Sequence, residues 1–260
     1  MAIDIKGPAE LEKMLDSCIM AAACLRMAGT HVRPGVTTGY LDKLCHEYIL
    51  DHGGIPAPLN YHGFPRSICT SIDDVVCHGI PDDKRALREG EIVNVDVTTI
   101  LHGYHGDTSA TYAVGEVLPD ARLVTETARE CLALGIATVS PKSRIRDIGA
   151  AIEDHAHSKD CSVVRDYCGH GIGREFHTEP QVPHYRFQGR NPRLRAGMTF
   201  TIEPMINLGT WKVDLQSDGW TVLTRDRRLS AQFEHTLLVT PDGHDVLTDP
   251  AKIAGSKWDV

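Results

Sequence analysis

The segment EIVNVDVTTILHGYHGDTSATY, residues 91–112, determines the fold, because apolar and polar residues alternate along it. A repeat of two predicts half-buried strands, and the glycine-containing break near residues 101–103 predicts that two strands form a hairpin. On the first strand the valines point to one face and Asp96 points to the other. An even-length turn then places Asp107 on the same face as Asp96.

Two carboxylates held close together on a partly buried face repel each other, so that one of them must take up a proton. A divalent cation removes this conflict and uses both groups as ligands. For an isolated pair, a solvated hairpin with two surface acids is the better interpretation. The second half of the chain changes that balance, because Glu203 in TFTIEP and Glu234 in SAQFEHT lie in similar segments. An Asp218-Gly219 turn falls midway between them, as a hairpin connection would.

An internal repeat relates the two halves of the chain. Three matches share an offset of 107 residues: Cys24-Leu25 with Cys131-Leu132, Val32-x-Pro34 with Val139-x-Pro141, and Leu87-Arg88-x-Gly90 with Leu194-Arg195-x-Gly197. The last match aligns Asp96 with Glu203, one carboxylate with another. Short matches arise by chance, but several at one offset and in one order make chance the weaker explanation. We therefore expect a single catalytic domain, residues 1–260, built from pseudo-symmetric halves at about residues 8–116 and 117–250.

Apolar residues at helical spacing flank the strand segments in both halves. The predicted helices run from Pro8 to just before Gly29, from Thr37 or Thr38 to Gly53-Gly54, and near residues 121–136 and 144–158. The predicted fold class is α+β, with antiparallel strands forming the site where the halves meet and helices packed outside.

Composition excludes several other classes of protein. With 42% apolar and 24% charged residues, the 260-residue chain has the composition of an ordinary globular protein. Its net charge of −8 and its lack of any block of Lys or Arg argue against binding nucleic acid through phosphates. The eight cysteines are scattered, and neither a signal peptide nor a membrane span is expected. A reducing cytoplasm is therefore the predicted location.

Three histidines complete the candidate site. His170, in the glycine-rich segment GHGIGREFHTEP at residues 169–180, is the candidate fifth ligand, although a single loop histidine is more often structural. Four carboxylates and one imidazole suit two divalent ions such as Mn, Fe, Co or Zn. His78 and His177 each precede a proline by three residues and are not needed as ligands. Each could therefore serve a substrate, and the alternative for each is a satisfied loop histidine.

The motifs YHGFPRSIC, VVCHGIPDD, NVDVT, HGDTS, GHGIG, FTIEPM and DGWTV…SAQFEHT together resemble the type I methionine aminopeptidases of the pita-bread metallopeptidase fold. The resemblance covers roughly residues 10–250. It implies hydrolytic removal of the initiator methionine from nascent polypeptides when the next residue is small, and it leaves the ribosome open as a partner. It also implies two divalent ions, Co, Mn, Fe or Zn, as cofactors.

The same resemblance assigns a role to each candidate residue. For the metals it implies Asp96 as the chelating ligand of one ion, His170 and Glu203 as ligands of the other, and Asp107 and Glu234 as bridges. For catalysis it implies His78 near the residue after the scissile bond, His177 beside the scissile carbonyl, and Glu203 in proton transfer. For the methionine side chain it implies an apolar pocket formed by Tyr61, Phe64, Cys69, Phe176 and Trp220.

Two alternatives stay open at this point. An X-Pro aminopeptidase or prolidase shares the fold but usually carries an added N-terminal domain, for which 260 residues leave no space. A non-catalytic relative would be expected to lose ligands, whereas this chain keeps all five. One departure from the family pattern, Asp73-Asp74 where Asn-Glu is frequent, puts a monovalent-cation site of some members in doubt.

Overall fold

The computed structural model describes residues 3–258. The helices are α1 (Pro8–His31), α2 (Thr38–Asp51), α3 (Pro119–Ala137) and α4 (Ile145–Ser158), with short 3-10 turns at Tyr61–Gly63 and Pro250–Lys252. The strands are β1 (Ile55–Pro56), β2 (Cys69–Ile72), β3 (Val75–Cys77), β4 (Ile92–Leu101), β5 (Tyr104–Ala113), β6 (Ser162–Val163), β7 (Gly169–Gly171), β8 (Thr178–Val182), β9 (Thr199–Ile202), β10 (Met205–Asn207), β11 (Val213–Leu215), β12 (Val222–Thr224), β13 (Ser230–Gln232), β14 (Glu234–Val239) and β15 (His244–Val246).

The predicted helices are confirmed, with one correction at the end of α1. Pro8 occupies the first helical position, and the N-cap Thr37 accepts the backbone N–H of Tyr40 at 3.1 Å, which starts α2. Gly29 does not end α1, which continues to His31. A Cβ atom at Gly29 would lie 2.5 Å from the ring of Tyr112 on β5, so this glycine allows close packing of α1 on the sheet.

The predicted hairpin is confirmed in its register. Leu101 pairs with Tyr104, so the turn consists of His102 and Gly103, whose φ angles of 54° and 75° fit a tight hairpin turn. Thr98 pairs with Asp107, and Thr98 lies two residues from Asp96, so both acids share one face. The valines of β4 are buried on the opposite face against the helices of the first half.

One sheet joins the two halves. Its strand order is β1-β4-β5-β14-β9-β7-β8, and β2 and β15 pair with β4 and β14. The pairing of β5 with β14 is the seam between the halves. The Asp218-Gly219 turn lies between β11 and β12, as predicted, but this hairpin is nested inside the β10–β13 and β9–β14 pairs. The connection between the two glutamates therefore consists of two nested strand pairs, β10–β13 and β11–β12, and not of one hairpin.

The internal repeat is visible in equivalent contacts. The Cys24 thiol lies 3.9 Å from the carbonyl oxygen of Cys45, and the Cys131 thiol lies 3.5 Å from that of Ile152, each pair spanning 21 residues. Each half has its own apolar cluster, one beneath α1 and α2 and the other beneath α3 and α4. The predicted α+β architecture, with helices outside and the strands lining the site, is confirmed. That residues 1–260 form a single domain stays a prediction.

Candidate metal centre and substrate cavity

A single cavity of about 540 Å³ collects all the candidate ligands and candidate substrate residues. The candidate ligands that line it are Asp96, Asp107, His170, Glu203 and Glu234. The candidate substrate residues that line it are Tyr61, Phe64, Cys69, His78, Phe176, His177 and Trp220. Residues from both halves of the chain therefore meet at one place, as the pseudo-symmetric fold predicts.

The candidate ligands converge from five backbone elements. Asp96 lies on β4, Asp107 on β5, His170 on β7 and Glu234 at the start of β14, while Glu203 directly follows β9. One possible ligand atom from each of Asp107, His170 and Glu234 lies within 4.8 Å of the others. His170 Nε2 is 3.8 Å from Asp107 Oδ2 and 3.6 Å from Glu203 Oε1. Side chains at these separations can share a metal ion without backbone movement.

The electrostatics of this cluster are unfavourable without a counter-charge. Loss of water on burial raises the pKa of Asp96 to about 7. Burial, followed by the nearby Asp96 carboxyl, raises the pKa of Glu203 to about 8. The pKa values of Asp107 and Glu234 lie well above the ordinary range, first because of burial and then because of neighbouring carboxylates. Burial also lowers the pKa of His170 to about 3, so its imidazole is neutral and available as a ligand.

The donor set fits divalent cations. Asp96 Oδ1 is buried and has no hydrogen-bond partner among residues 3–258, which leaves a carboxylate oxygen available for a cation. The neighbouring acids are oriented by polar side chains: Thr98 donates to Asp107 Oδ1 at 2.7 Å, and Thr201 donates to Glu203 Oε1 at 2.7 Å. Oxygen-rich sites with one imidazole accept Mn, Fe, Co or Zn. A second hydrogen-bond layer of this kind fixes the orientation of metal ligands.

The two remaining histidines differ in their surroundings. His177 is exposed toward the cavity, and its ring packs on Phe176 with centroids 4.1 Å apart and on His170 at 4.2 Å. Although the side chain is open to the cavity, packing against Phe176 and His170 removes water from the ring, and this loss of water, followed by the neighbouring imidazole of His78, lowers the pKa of His177 to about 4. His78 is half-buried, has a left-handed backbone with φ of 56°, and contacts the ring of Tyr167 at 5.5 Å. Neither histidine belongs to the group of close ligand atoms.

The predicted apolar pocket is assembled from both halves of the chain. Phe64 meets Trp220 edge to face with ring centroids 5.2 Å apart, and Tyr61 meets Phe176 at 5.0 Å. Cys69 is buried and pairs with Asp96 in the β2–β4 register, so this wall adjoins the acidic cluster. Trp220 directly follows the Asp218-Gly219 turn, so the inner hairpin of the second half contributes this ring to the cavity wall.

Sequence reasoning missed several residues that support the site. His184 is fully buried, and its Nε2 accepts the backbone N–H of Glu203 at 3.1 Å. Gln232 donates to Glu203 Oε2 at 3.2 Å. Gln232 precedes Glu234 by two residues on an alternating segment, a signal that could have placed it on the same face. No comparable signal marked His184. Asp73, at the departure from the family pattern, instead accepts the backbone N–H of Ile92 at 3.0 Å.

Comparison with known proteins agrees with this geometry. Residues 12–241 match metallopeptidase family M24. The chain is 54% identical to methionine aminopeptidase A of Synechocystis sp. over 239 residues, which is 92% of this chain and 94% of that protein. It matches the crystal structure of methionine aminopeptidase from Rickettsia prowazekii with a TM-score of 0.92 and 50% identity, covering 95% of this chain and 100% of that one.

The chain therefore belongs to metallopeptidase family M24 and, within it, to the methionine aminopeptidases. The predicted metal-dependent aminopeptidase activity and the pita-bread fold are confirmed. The prolidase from Pyrococcus furiosus, at 20% identity and a TM-score of 0.75 over 94% of this chain and 65% of that one, shares the fold alone, so the X-Pro alternative is not supported. Across residues 3–258, no helix has both the length and the apolar character needed to cross a membrane.

Proposed function

We propose that this enzyme removes the initiator methionine from newly made polypeptides whose second residue is small, and that it does so with two divalent ions. The observation that carries this proposal is the cavity itself. One part of it gathers four carboxylates and an imidazole, and another part is walled by aromatic rings and a buried thiol. Such a cavity suits a substrate with an apolar side chain next to a bond that is hydrolysed.

The proposed ligands follow from the donor set. Asp96, with its unpaired Oδ1, would hold one ion, and His170 with Glu203 would hold the other. Asp107 and Glu234 would serve both, because their ligand atoms lie within 4.8 Å of each other and of His170, and because the other carboxylates, after burial, also raise their pKa values. A bound divalent ion supplies Lewis acidity and lowers the pKa of a bound water toward 7.

The protein's own residues would do the rest of the chemistry. His177 donates a hydrogen bond to the scissile carbonyl oxygen as negative charge develops there. Glu203 accepts the proton from the attacking water and passes it to the leaving amine. His78 contacts the residue after the scissile bond. The methionine side chain lies between the aromatic pairs, where a thioether makes favourable contacts with ring edges.

The proposal also places the enzyme in the cytoplasm, acting on nascent chains. All eight cysteines are unpaired thiols, and seven of them are buried, a pattern typical of a reducing compartment. Docking at the ribosome and the absence of direct nucleic-acid binding stay predictions.

Metal stoichiometry tests the central part of the proposal. Metal-free protein titrated anaerobically with Mn, Fe, Co or Zn should bind two ions per chain, measured by calorimetry and elemental analysis. The variant Asp96→Asn should bind one, because His170 and Glu203 still hold the second position. A single ion in the wild-type protein, or two tightly held ions in Asp96→Asn, would contradict the assignment. Thr30→Ala, an exposed change at the far end of α1, serves as the matched control.

A further inference from the structure

A tyrosine hydroxyl contacts one of the catalytic imidazoles. Tyr61 Oη lies 2.9 Å from His177 Nδ1, and within residues 3–258 neither atom has another hydrogen-bond partner. We propose that Tyr61 donates this hydrogen bond and thereby holds the ring hydrogen of His177 on Nε2, where it can be donated to the substrate. This inference rests on the proposed role of His177 and adds a positioning residue to it.

The direction of this hydrogen bond follows from the acceptors that are present. If Nδ1 carried the hydrogen and donated to Tyr61, the phenolic hydrogen would have to turn to solvent, because none of the other residues from 3 to 258 accepts it. The free nitrogen of His177 would then be a bare acceptor, which cannot stabilise an oxygen that gains negative charge. If Tyr61 donates, its hydroxyl is satisfied and the opposite nitrogen of the ring becomes a donor. One hydrogen bond thus selects the useful tautomer.

Packing restricts the position and orientation of the His177 ring. It stacks on Phe176 at an interplanar angle of 22°, and it packs against His170 at 4.2 Å. Tyr61 itself contacts the His177 ring at 5.4 Å and the Phe176 ring at 5.0 Å. These contacts hold the position of the ring but do not determine which ring nitrogen carries the hydrogen. The hydrogen bond from the Tyr61 hydroxyl determines that.

The backbone around Tyr61 holds the hydroxyl in place. Asn60 and His62 adopt left-handed conformations with φ of 66° and 47°. The segment is closed by hydrogen bonds from Asn60 N–H to the carbonyl of Phe64 at 2.8 Å and from Tyr61 N–H to that of Pro58 at 3.0 Å. Non-glycine residues persist in this region only where surrounding contacts enforce them. Tyr61 is therefore presented from a constrained turn.

The tautomer can be measured without any catalysis. Nitrogen-15 NMR of imidazole-labelled, metal-free protein distinguishes a protonated ring nitrogen from a bare one, and comparison with His177→Ala identifies the relevant signals. We expect Nε2–H in the wild-type protein and a mixture of both tautomers in Tyr61→Phe. A wild-type His177 with its hydrogen on Nδ1, or an unchanged tautomer in Tyr61→Phe, would overturn the proposal. This result is independent of whether the enzyme cleaves methionyl peptides, so failure of the proposed function would be recognised separately.

Kinetics provide the second measurement. Loss of one hydrogen bond of about 1 kcal/mol should lower kcat of Tyr61→Phe roughly 5-fold with little change in KM. In a His177→Ala background the same substitution should have no further effect, because the hydroxyl acts only through the imidazole. An equal loss in both backgrounds would show instead that the hydroxyl contributes to the pocket directly. Tyr40→Phe, which removes an exposed hydroxyl on α2, should leave kcat unchanged.

Discussion

The first half of the chain carries its two candidate ligands on one tight hairpin, whereas the second half draws three from separate places. Asp96 and Asp107 lie on strands joined by a two-residue turn. His170 lies on β7, Glu203 lies just past β9 and Glu234 begins β14. The backbone hydrogen bonds are nonetheless repeated. Leu87 N–H donates to the carbonyl oxygen of Val36, and 107 residues later Leu194 N–H donates to the carbonyl oxygen of Ser143. The scaffold is therefore duplicated, while the candidate ligands of the two halves differ in where they lie on it.

The sheet register shows where this divergence lies. Asp96 and Glu203 are the one pair of candidate ligands related by the repeat offset of 107 residues. Ser109 on β5 pairs with Asp96 on one side and with Glu234 on the other, so a hydroxyl stands between two acids at the seam. Because ligands from both halves surround the same cavity, metal binding requires both halves to be folded together.

The largest expected effect on metal binding and turnover comes from removing either of the two proposed bridging acids, one of which lies in each half. Asp107→Ala and Glu234→Ala each leave two cations facing fewer negative charges, so both ions should bind weakly and turnover should fall below detection. Elemental analysis after gel filtration and a methionine-release assay measure the two quantities. The halves contribute equally if both variants fail in the same way. Two tightly bound ions together with wild-type turnover in either variant would refute the bridging assignment.

The two histidines of the glycine-rich segment should separate metal binding from catalysis. His177→Ala should keep the full metal content but lower kcat about 10²–10³-fold, because a donor aimed at the scissile carbonyl acts mainly in the transition state. KM should rise less than kcat falls. His170→Ala should lose metal first and activity as a consequence. Metal analysis and steady-state kinetics at matched metal supply decide this; parallel metal loss in both variants would show that the division is wrong.

Substrate choice tests whether the walls from both halves act together. Met before Ala, Gly or Ser should be released rapidly, and Met before Leu, Lys or Arg slowly, because His78 and Tyr167 crowd the cavity with rings 5.5 Å apart. Matched tripeptides that differ only in the second residue, compared by kcat/KM, provide the measurement. Similar values for Met-Ala and Met-Lys substrates would rule out a restricted second-residue site.

The alternation of residues and the internal repeat predicted most of the fold and the candidate ligands. Asp96 and Asp107 could be placed on one face because a strand has a period of two and the turn has an even length. The supporting residues Thr98, Thr201 and Gln232 also lie two residues from a candidate ligand, so the same rule applied further would have found them. The contact between Tyr61 and His177 joins residues 116 positions apart through side chains, and no local pattern encodes it.

The end of α1 was the one helix boundary predicted wrongly, and the reason is physical. A glycine late in a helical segment predicts the end of the helix, because glycine readily adopts the left-handed conformation that is common there. Gly29 instead lies where α1 crosses β5, and the ring of Tyr112 occupies the space that a side chain would need. Whether a glycine ends a helix or admits a neighbour depends on tertiary contacts that the sequence does not display.

This difference gives the last and smallest prediction, a comparison of one helix glycine from each half. Helix propensity alone favours alanine over glycine by about 1 kcal/mol. At Gly29 the added Cβ would lie 2.5 Å from Tyr112 Cε1, and the ring cannot easily withdraw because its hydroxyl donates to the carbonyl of Leu25 at 3.1 Å. At Gly135 on α3 the nearest atom is the flexible Cδ1 of Ile152, at 2.8 Å.

We therefore expect Gly29→Ala to lower the free energy of unfolding by about 1–3 kcal/mol, a typical cost of overpacking. Gly135→Ala should be close to neutral, and in a Tyr112→Leu background the penalty at Gly29 should shrink. Urea denaturation of the metal-free proteins measures all four variants, and a Gly29→Ala protein as stable as the wild type would show that α1 can move away from the sheet at low cost.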